Sequence, residues 1–514
     1  MNNPKILLLL LISVFVTSSC TDDLEITPAG NNVADTFYAN EIEVNQAAIG
    51  IYSRLGRNKT NTDFPTVYYL LAFEDRSDIR YLGGQETSAQ NDQLDFRKYL
   101  TTSSTSMVST IFGRLYSIIT DANSLLARTK EDEYVTYRAE ACFMRGYAYA
   151  ELARSFGPVA LITKPIENKE AVLLPREPLT VIYEQVIKDL TYAADNLPLV
   201  QTDISTEKIS RTGRPGALAA KALLGQVYMT MAGYPMNDNT AMAKAEQVYA
   251  PIMASVMARF APNYADIFTL PNKNKYDIFS VQFKSGVKGS GSTGSSLPGY
   301  ITNSGSGASP FPEWVYSSYS QQGQDLRVDT LLIQEMMANK DKRWTATVDT
   351  GYWSSTDVAK RTRISRTILT KFLEKDNTNA TIKEWNDFPR NFPIIRPAEV
   401  MLFYAEALIR NGKAGEAAQY INKVRNRAGL PDIASPTLND IKKERKFEFI
   451  GEGKRFFDLV RWGEDEAIST LKGFVNHYHS NTNTLEPSKR DLLLPIPMDE
   501  LKTRSNWDQN FGYD

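Results

Sequence analysis

Two stretches of this chain leave little freedom in what it can become. Over residues 140–152 and 217–232, Ala and Gly interleave with large apolar residues at helical spacing, and no Pro interrupts them. Small residues let two backbones approach closely, so both stretches are expected to form packed helices with near neighbours. The same texture returns over residues 401–410. There Asn411 and Gly412, which tolerate the left-handed conformation, stop the helix before a second one expected over residues 414–427. A helix, a tight break and another helix make an antiparallel hairpin. Residues 219–231, the break Gly233, Tyr234, Pro235 and residues 242–257 repeat the arrangement.

Recurring pairs with small residues at the crossings look like tetratricopeptide-type repeats, although no strict period runs along the chain. The expected fold class is mostly α: a tetratricopeptide-like superhelix of helical hairpins carrying a loop-rich, irregular ligand-binding lobe with few short strands. The loop-rich part is two polar inserts at about 56–109 and 262–393. Within the second, residues 284–307 are dominated by Gly and Ser, and residues 289–294 match G-x-G-x-x-G literally. No apolar helix follows to set its N-terminus against a phosphate, so the match is a flexible loop and not a dinucleotide site. Long loops cost little in closure entropy and commonly carry binding groups.

The charge balance is near neutral, with 58 Lys and Arg against 60 Asp and Glu. That lacks the basic surplus by which a nucleic-acid binder displaces phosphate counterions. Two Cys and two His leave no disulfide framework and little for metal or Ser-His-Asp chemistry. His477 and His479 share one face if extended, but two ligands without partners do not make a metal site, and neither metal nor cofactor is expected. No G-x-S-x-G, G-x-x-x-x-G-K-[ST] or H-E-x-x-H occurs. What is abundant is aromatic side chains, 26 Tyr, 23 Phe and 6 Trp, many of the Tyr in polar stretches.

At the N-terminus, Lys5 precedes an apolar run over residues 6–16 and then Thr17, Ser18 and Ser19 before Cys20. As a helix this run would be roughly 16 Å long, about half of a ~30 Å bilayer core, so it reads as a signal peptide and not as a spanning segment. Small residues directly before a Cys resemble a bacterial lipobox, with Thr17 departing from the usual Leu. The expected organisation is a lipoprotein signal peptide over 1–19 and a single domain over 20–514, acylated at Cys20. Asp22 and Asp23 resemble the acidic tether of surface-exposed lipoproteins.

Charged residues cluster near the C-terminus. Glu444, Glu448 and Glu452 fall at i, i+4 and i+8, and Arg445 to Glu448, Arg455 to Asp458 and Asp458 to Arg461 are each three apart, with Phe447, Phe449, Phe456 and Phe457 interleaved. Such a ladder is what a helix needs to dock through salt bridges and aromatic packing, so these charges are read as structural and not as catalytic.

Together with PIIRPAEV (393–400), MLFYAEA (401–407), INKVRNRAGLP (421–431), the 444–463 cluster and LPIP (494–497) followed by Gln509, Asn510, Gly512 and Tyr513, the chain resembles the SusD/RagB family of Bacteroidetes outer-membrane lipoproteins. Earlier segments agree, among them Phe143, Met144, Arg145 and Gly213, Arg214. Cys142, Ala160 and Phe511 depart from the pattern. The resemblance implies a non-enzymatic protein on the extracellular face of the outer membrane. It would capture a glycan and pass it to a SusC-like TonB-dependent transporter. A sugar ring has an apolar C–H face and a hydroxyl fringe, so its binder needs flat aromatic platforms with polar side chains at their edges. In the family these groups come from the loops. Residues 74–81 (EDRSDIRY) resemble the acidic segment bordering the binding face and give Asp78, Arg80 and Tyr81. In the second insert, LPGY (297–300) and FPEW (311–314) give Tyr300 and Trp314, ahead of an Asp-x-Arg element at Asp325 and Arg327, with Trp353 as a further platform. Three alternatives stand beside this reading: a peptide-capturing RagB-type lipoprotein, an anchored glycoside hydrolase using two of the many carboxylates, and a repeat scaffold without a small ligand.

Overall fold

The computed structural model describes residues 37–56, 63–81, 91–200, 212–285, 294–298, 327–353, 363–373, 387–478 and 484–513. The signal peptide, Cys20, His479, Tyr300, Trp314 and all of the G-x-G-x-x-G run except Gly294 lie outside them.

Helices dominate, as the small-residue texture predicts. Helix α1 (Glu41–Ser53) leans on α2 (Ser106–Arg128) and α3 (Val135–Phe156), and α4 (Leu179–Asn196) packs on α3. The hairpin of α5 (Ala217–Met231) and α6 (Ala241–Tyr249) follows, and then that of α8 (Pro397–Arg410) and α9 (Ala414–Ala428). Helix α7 (Thr330–Ala338) lies between them in sequence. The reason for the small residues is visible at Gly225 of α5, where an added Cβ would sit 2.3 Å from the Tyr249 ring of α6. Only a residue without a side chain admits that ring, and the hairpin closes over it. The expected second helix over 242–257 is interrupted. At Ala250–Ile252 it tightens into a 3₁₀ turn before Met253–Ala258 resumes, because Pro251 has no N–H to continue the α-helical ladder.

Helix α3 is buried on nearly every side. Its Arg145 makes two hydrogen bonds to Asp189 of α4, at 2.6 and 2.8 Å, and a third to Asn123 of α2 at 2.7 Å. One guanidinium thereby ties three helices together with a fork geometry that Lys lacks. Cys142 is buried on the same helix, and burial pushes its thiol up to about 12. It is an inert core residue. Among the described residues no helix is long and apolar enough to cross a membrane.

The inserts contribute the strands. A four-stranded antiparallel sheet runs in the order β1 (Arg80–Tyr81), β3 (Arg327–Val328), β5 (Arg363–Leu369), β4 (Val348–Trp353), and β2 (Phe279–Val281) pairs separately with β6 (Phe392–Ile395). Tyr81 faces Arg327 in register, Arg327 faces Ile368, and Ile368 faces Asp349. Strands β1 and β3, more than two hundred residues apart in sequence, therefore bring the two inserts together in one sheet. A short π-helical segment (Thr66–Glu74), buried throughout, leads into β1. Helices α10 (Leu438–Glu448), α11 (Arg455–Trp462) and α12 (Glu464–Tyr478) close the fold, and a single apolar cluster extends from Val44 to Trp507.

Candidate ligand-binding site

Residues 74–81 are held by the C-terminal charge cluster. The Glu74 carboxylate accepts the Gly451 and Gly453 backbone N–H groups at 2.5 and 2.8 Å, and burial, outweighing those hydrogen bonds, pushes it up to about 7. Asp75 meets Arg97 at 2.7 Å and Arg80 at 2.6 Å. Asp78 accepts both arms of Arg455, at 2.7 and 3.1 Å, and meets Lys446 at 2.8 Å. Burial alone would raise the Asp78 carboxyl, but those two cations hold it well below the usual carboxylate range.

This placement corrects two of the sequence expectations. Asp78 and Arg80 are 4% and 2% exposed and engaged in internal ion pairs, so neither offers a polar edge to a ligand. Burial moves the Arg80 guanidinium down to about 10 against the pull of Asp75. The physical reason is that a carboxylate taken from water needs several donors: Asp78 finds them in Lys446 and Arg455 of the C-terminal helices, and Asp75 in Arg80 and Arg97 of its own insert.

The C-terminal charges are structural, though wired differently from a simple helix ladder. Helix α10 ends at Glu448, so Glu452 lies in the following turn. All three glutamates are nonetheless buried and bridged from outside. Arg343 reaches Glu444 at 2.6 Å and Glu448 at 3.1 Å, Arg396 reaches Glu448 at 2.9 Å and Glu452 at 2.8 Å, and Lys371 pairs with Glu452. Of the three expected pairs at i+3, only Asp458 to Arg461 forms, at 2.9 Å. Arg445 turns to Asp458 at 2.7 Å, and Arg455 to Asp78.

Tyr81, one residue beyond this clamp, is a different case. It is only partly buried, its ring stacks on Tyr478 at 4.2 Å with 18° between planes, and its hydroxyl hydrogen-bonds with Thr330 at 3.2 Å. The Arg327 guanidinium lies 5.9 Å over the same ring. Tyr478 donates to Asp329 and is flanked by Phe474 at 4.9 Å and by the exposed His477 at 4.4 Å. The result is an aromatic surface with hydroxyl and guanidinium groups beside it, the chemistry a sugar face requires. Trp353 ends β4 at the opposite edge of the sheet, paired with Arg363. Tyr478 and Phe474 were not anticipated. The available signal was their i, i+4 spacing next to buried Leu471 and Val475, which places an aromatic pair on a partly exposed face of α12.

Two family profiles match the chain: one described as the SusD family over residues 276–513, the other as starch-binding associating with outer membrane over residues 77–229. The chain belongs to the SusD/RagB family. Among family members, the SusD-like protein of Bacteroides ovatus is 26% identical over 92% of this chain and 85% of its own. SusD-like protein P2 of Formosa agariphila is 25% identical over the full length of both. A solved laminarin-binding SusD-like protein matches at 25% identity with a TM-score of 0.71, over 92% of this chain and 100% of its own. Surface glycan-binding protein A of Bacteroides thetaiotaomicron, solved with laminarihexaose, shares the SusD fold with a TM-score of 0.73 at 21% identity, over 91% of this chain and 99% of its own.

Proposed function

We propose that this SusD/RagB protein captures a glycan at the outer membrane through aromatic residues of its two inserts and of helix α12 and hands it to a SusC-like TonB-dependent transporter. The observation that carries the reading is the likeness, along nearly the whole of both chains, to a laminarin-binding relative. The stacked Tyr81 and Tyr478 with Arg327 alongside supply a matching chemistry. In this reading Tyr300 and Trp314 add platforms from the second insert, and Cys20 carries the lipid that tethers the protein to the extracellular face.

Each aromatic platform contributes on the order of 1 kcal/mol beyond burial, so a small arc of rings gives roughly micromolar to millimolar affinity. Weak binding suits a carrier that must release its cargo. The proposal assigns no reaction, so laminarin or starch incubated with the pure protein should yield no new reducing ends. The direct test is retardation on affinity gels containing laminarin, starch or xylan, beside a Tyr300→Ala, Trp314→Ala double variant. Retardation by at least one glycan, weakened in the variant, is expected. No retardation by any glycan would overturn the reading. Cys20→Ala should release the chain from membranes, and co-purification with a transporter tests the partner.

A further inference from the structure

A cavity lies among residues that glycan capture does not use. The end of α3, the start of α4, the residues after α5, helix α11 and the segment 489–493 enclose about 160 Å³. Its walls include Leu179, Tyr183, Phe457, Val460, Leu492 and Leu493. An apolar cavity of about 150 Å³ lined by such side chains stays dry and accepts one benzene ring. The volume here therefore suits a single six-membered ring.

The pocket is preformed. Phe457 on its inner wall packs 4.3 Å from Phe73 of the core, and the Arg154 guanidinium lies 3.7 Å over the Phe457 ring. These two contacts hold the Phe457 ring against the core side of the pocket.

Two further features fix the chemistry of the occupant. Among the described residues, the charged ones lining the pocket are basic: Arg154, Arg461, Lys489 and Arg490. Arg154 and Arg461 are buried against Glu151 and Glu406. The Lys489 side chain pairs at 3.1 Å with Glu464, a half-buried carboxylate that also hydrogen-bonds Tyr234 of the pocket wall, and is itself 52% exposed, which leaves much of it open to solvent. Phe511, which lines the same pocket, stands 71% exposed, leaving an apolar ring in water beside an apolar hollow. A ring seated in the hollow with an anionic group outward would lie against Phe511 and place its charge near the Lys489 ammonium.

We propose that this pocket binds a small aromatic carboxylate, ring inward and carboxylate at the mouth. The ligand class is distinct from a neutral glycan, and the proposal stands independently of the glycan reading.

The test is ¹⁹F NMR titration of 4-fluorobenzoate into the full-length protein. Saturable line broadening is expected. Leu179→Trp, which adds bulk at a partly exposed wall position, should abolish it, and Phe511→Ala, an exposed site whose loss leaves folding intact, should weaken it about fivefold. Wild type should also prefer 4-fluorobenzoate to 4-fluorobenzyl alcohol, and Lys489→Glu should erase that preference. No saturable broadening up to about 10 mM, which would leave affinity weaker than any useful ligand site, overturns the proposal. So does broadening indifferent to both Leu179→Trp and Phe511→Ala, or equal affinity for the alcohol.

Discussion

Within residues 74–81 the chain passes between two kinds of surroundings. Glu74, Asp75, Asp78 and Arg80 are buried, Glu74 on the Gly451 and Gly453 backbone N–H groups and the other three in ion pairs, whereas Tyr81 is partly exposed and held by a ring stack and a hydroxyl contact. Charged motif residues invite a functional reading, and here they make the rigid frame. The groups suited to ligand contact are aromatic, lie at the sheet edge and on the last turn of α12, and bear little of the load. A frame of buried charges is costly to disturb because removing one partner strands the others, while an edge aromatic can be removed with little effect on folding.

The comparison is tested most severely at Arg396, which bridges Glu448 and Glu452. Arg396→Ala should cost about 3–5 kcal/mol in urea denaturation, the penalty for leaving buried charges uncompensated. A loss similar to that of a surface substitution would break the contrast.

Acid should act on the same frame. Burial would raise Glu406 and Glu448, but Arg461 holds Glu406 down to about 2, and Arg427, Arg396 and Arg343 hold Glu448 lower still. Asp78 is depressed likewise. Depressed carboxyls contribute stability that is present above their unfolded values and is lost as pH falls through the folded ones. Unfolding free energy should therefore drop steeply below about pH 4, where carboxylates of the unfolded chain begin to protonate. Glu74 has the opposite sign. Raised from 4.5 to about 7, it contributes stability present below 4.5 and lost as pH rises through 7. Denaturation curves between pH 3 and 8 would show both limbs, and a flat profile on the acid side would count against the ion-pair frame.

Arg455→Ala should be milder, about 2 kcal/mol, because Lys446 still meets Asp78. Lower expression and melting temperature with glycan binding retained is the expected pattern, and a stable variant that had lost binding would move the ligand into the frame.

Much of the scaffold was legible in the sequence because helix packing writes itself locally. The Ala and Gly positions of α3, α5 and α8 and the Asn411, Gly412 stop follow from near-neighbour sterics. The ion-pair frame was legible in kind but not in wiring. Spacing along one helix shows which charges are neighbours on it, and Arg445 and Arg455 took partners from α11 and from residue 78 instead. The sheet edge was hardest to read, since Tyr81 and Tyr478 come together only through the pairing of β1 with β3 and the docking of α12. The positions of Asp78 and Arg80 were misread because a polar segment in a loop-rich insert gives no sign that Asp78 pairs with Lys446 and Arg455, or that Arg80 turns back on Asp75.

The central claim is that ligand contact resides in the edge aromatics and stability in the buried charges. The most direct measurement is calorimetric titration of laminarihexaose into the full-length protein and into a Tyr81→Ala, Tyr478→Ala variant, with thermal melts of both. The account predicts binding by the wild type, a variant weakened about tenfold or more from the loss of two stacking contacts of about 1 kcal/mol each, and melting temperatures that differ by only a few degrees. A variant that folds as well as the wild type and binds with undiminished affinity would contradict it.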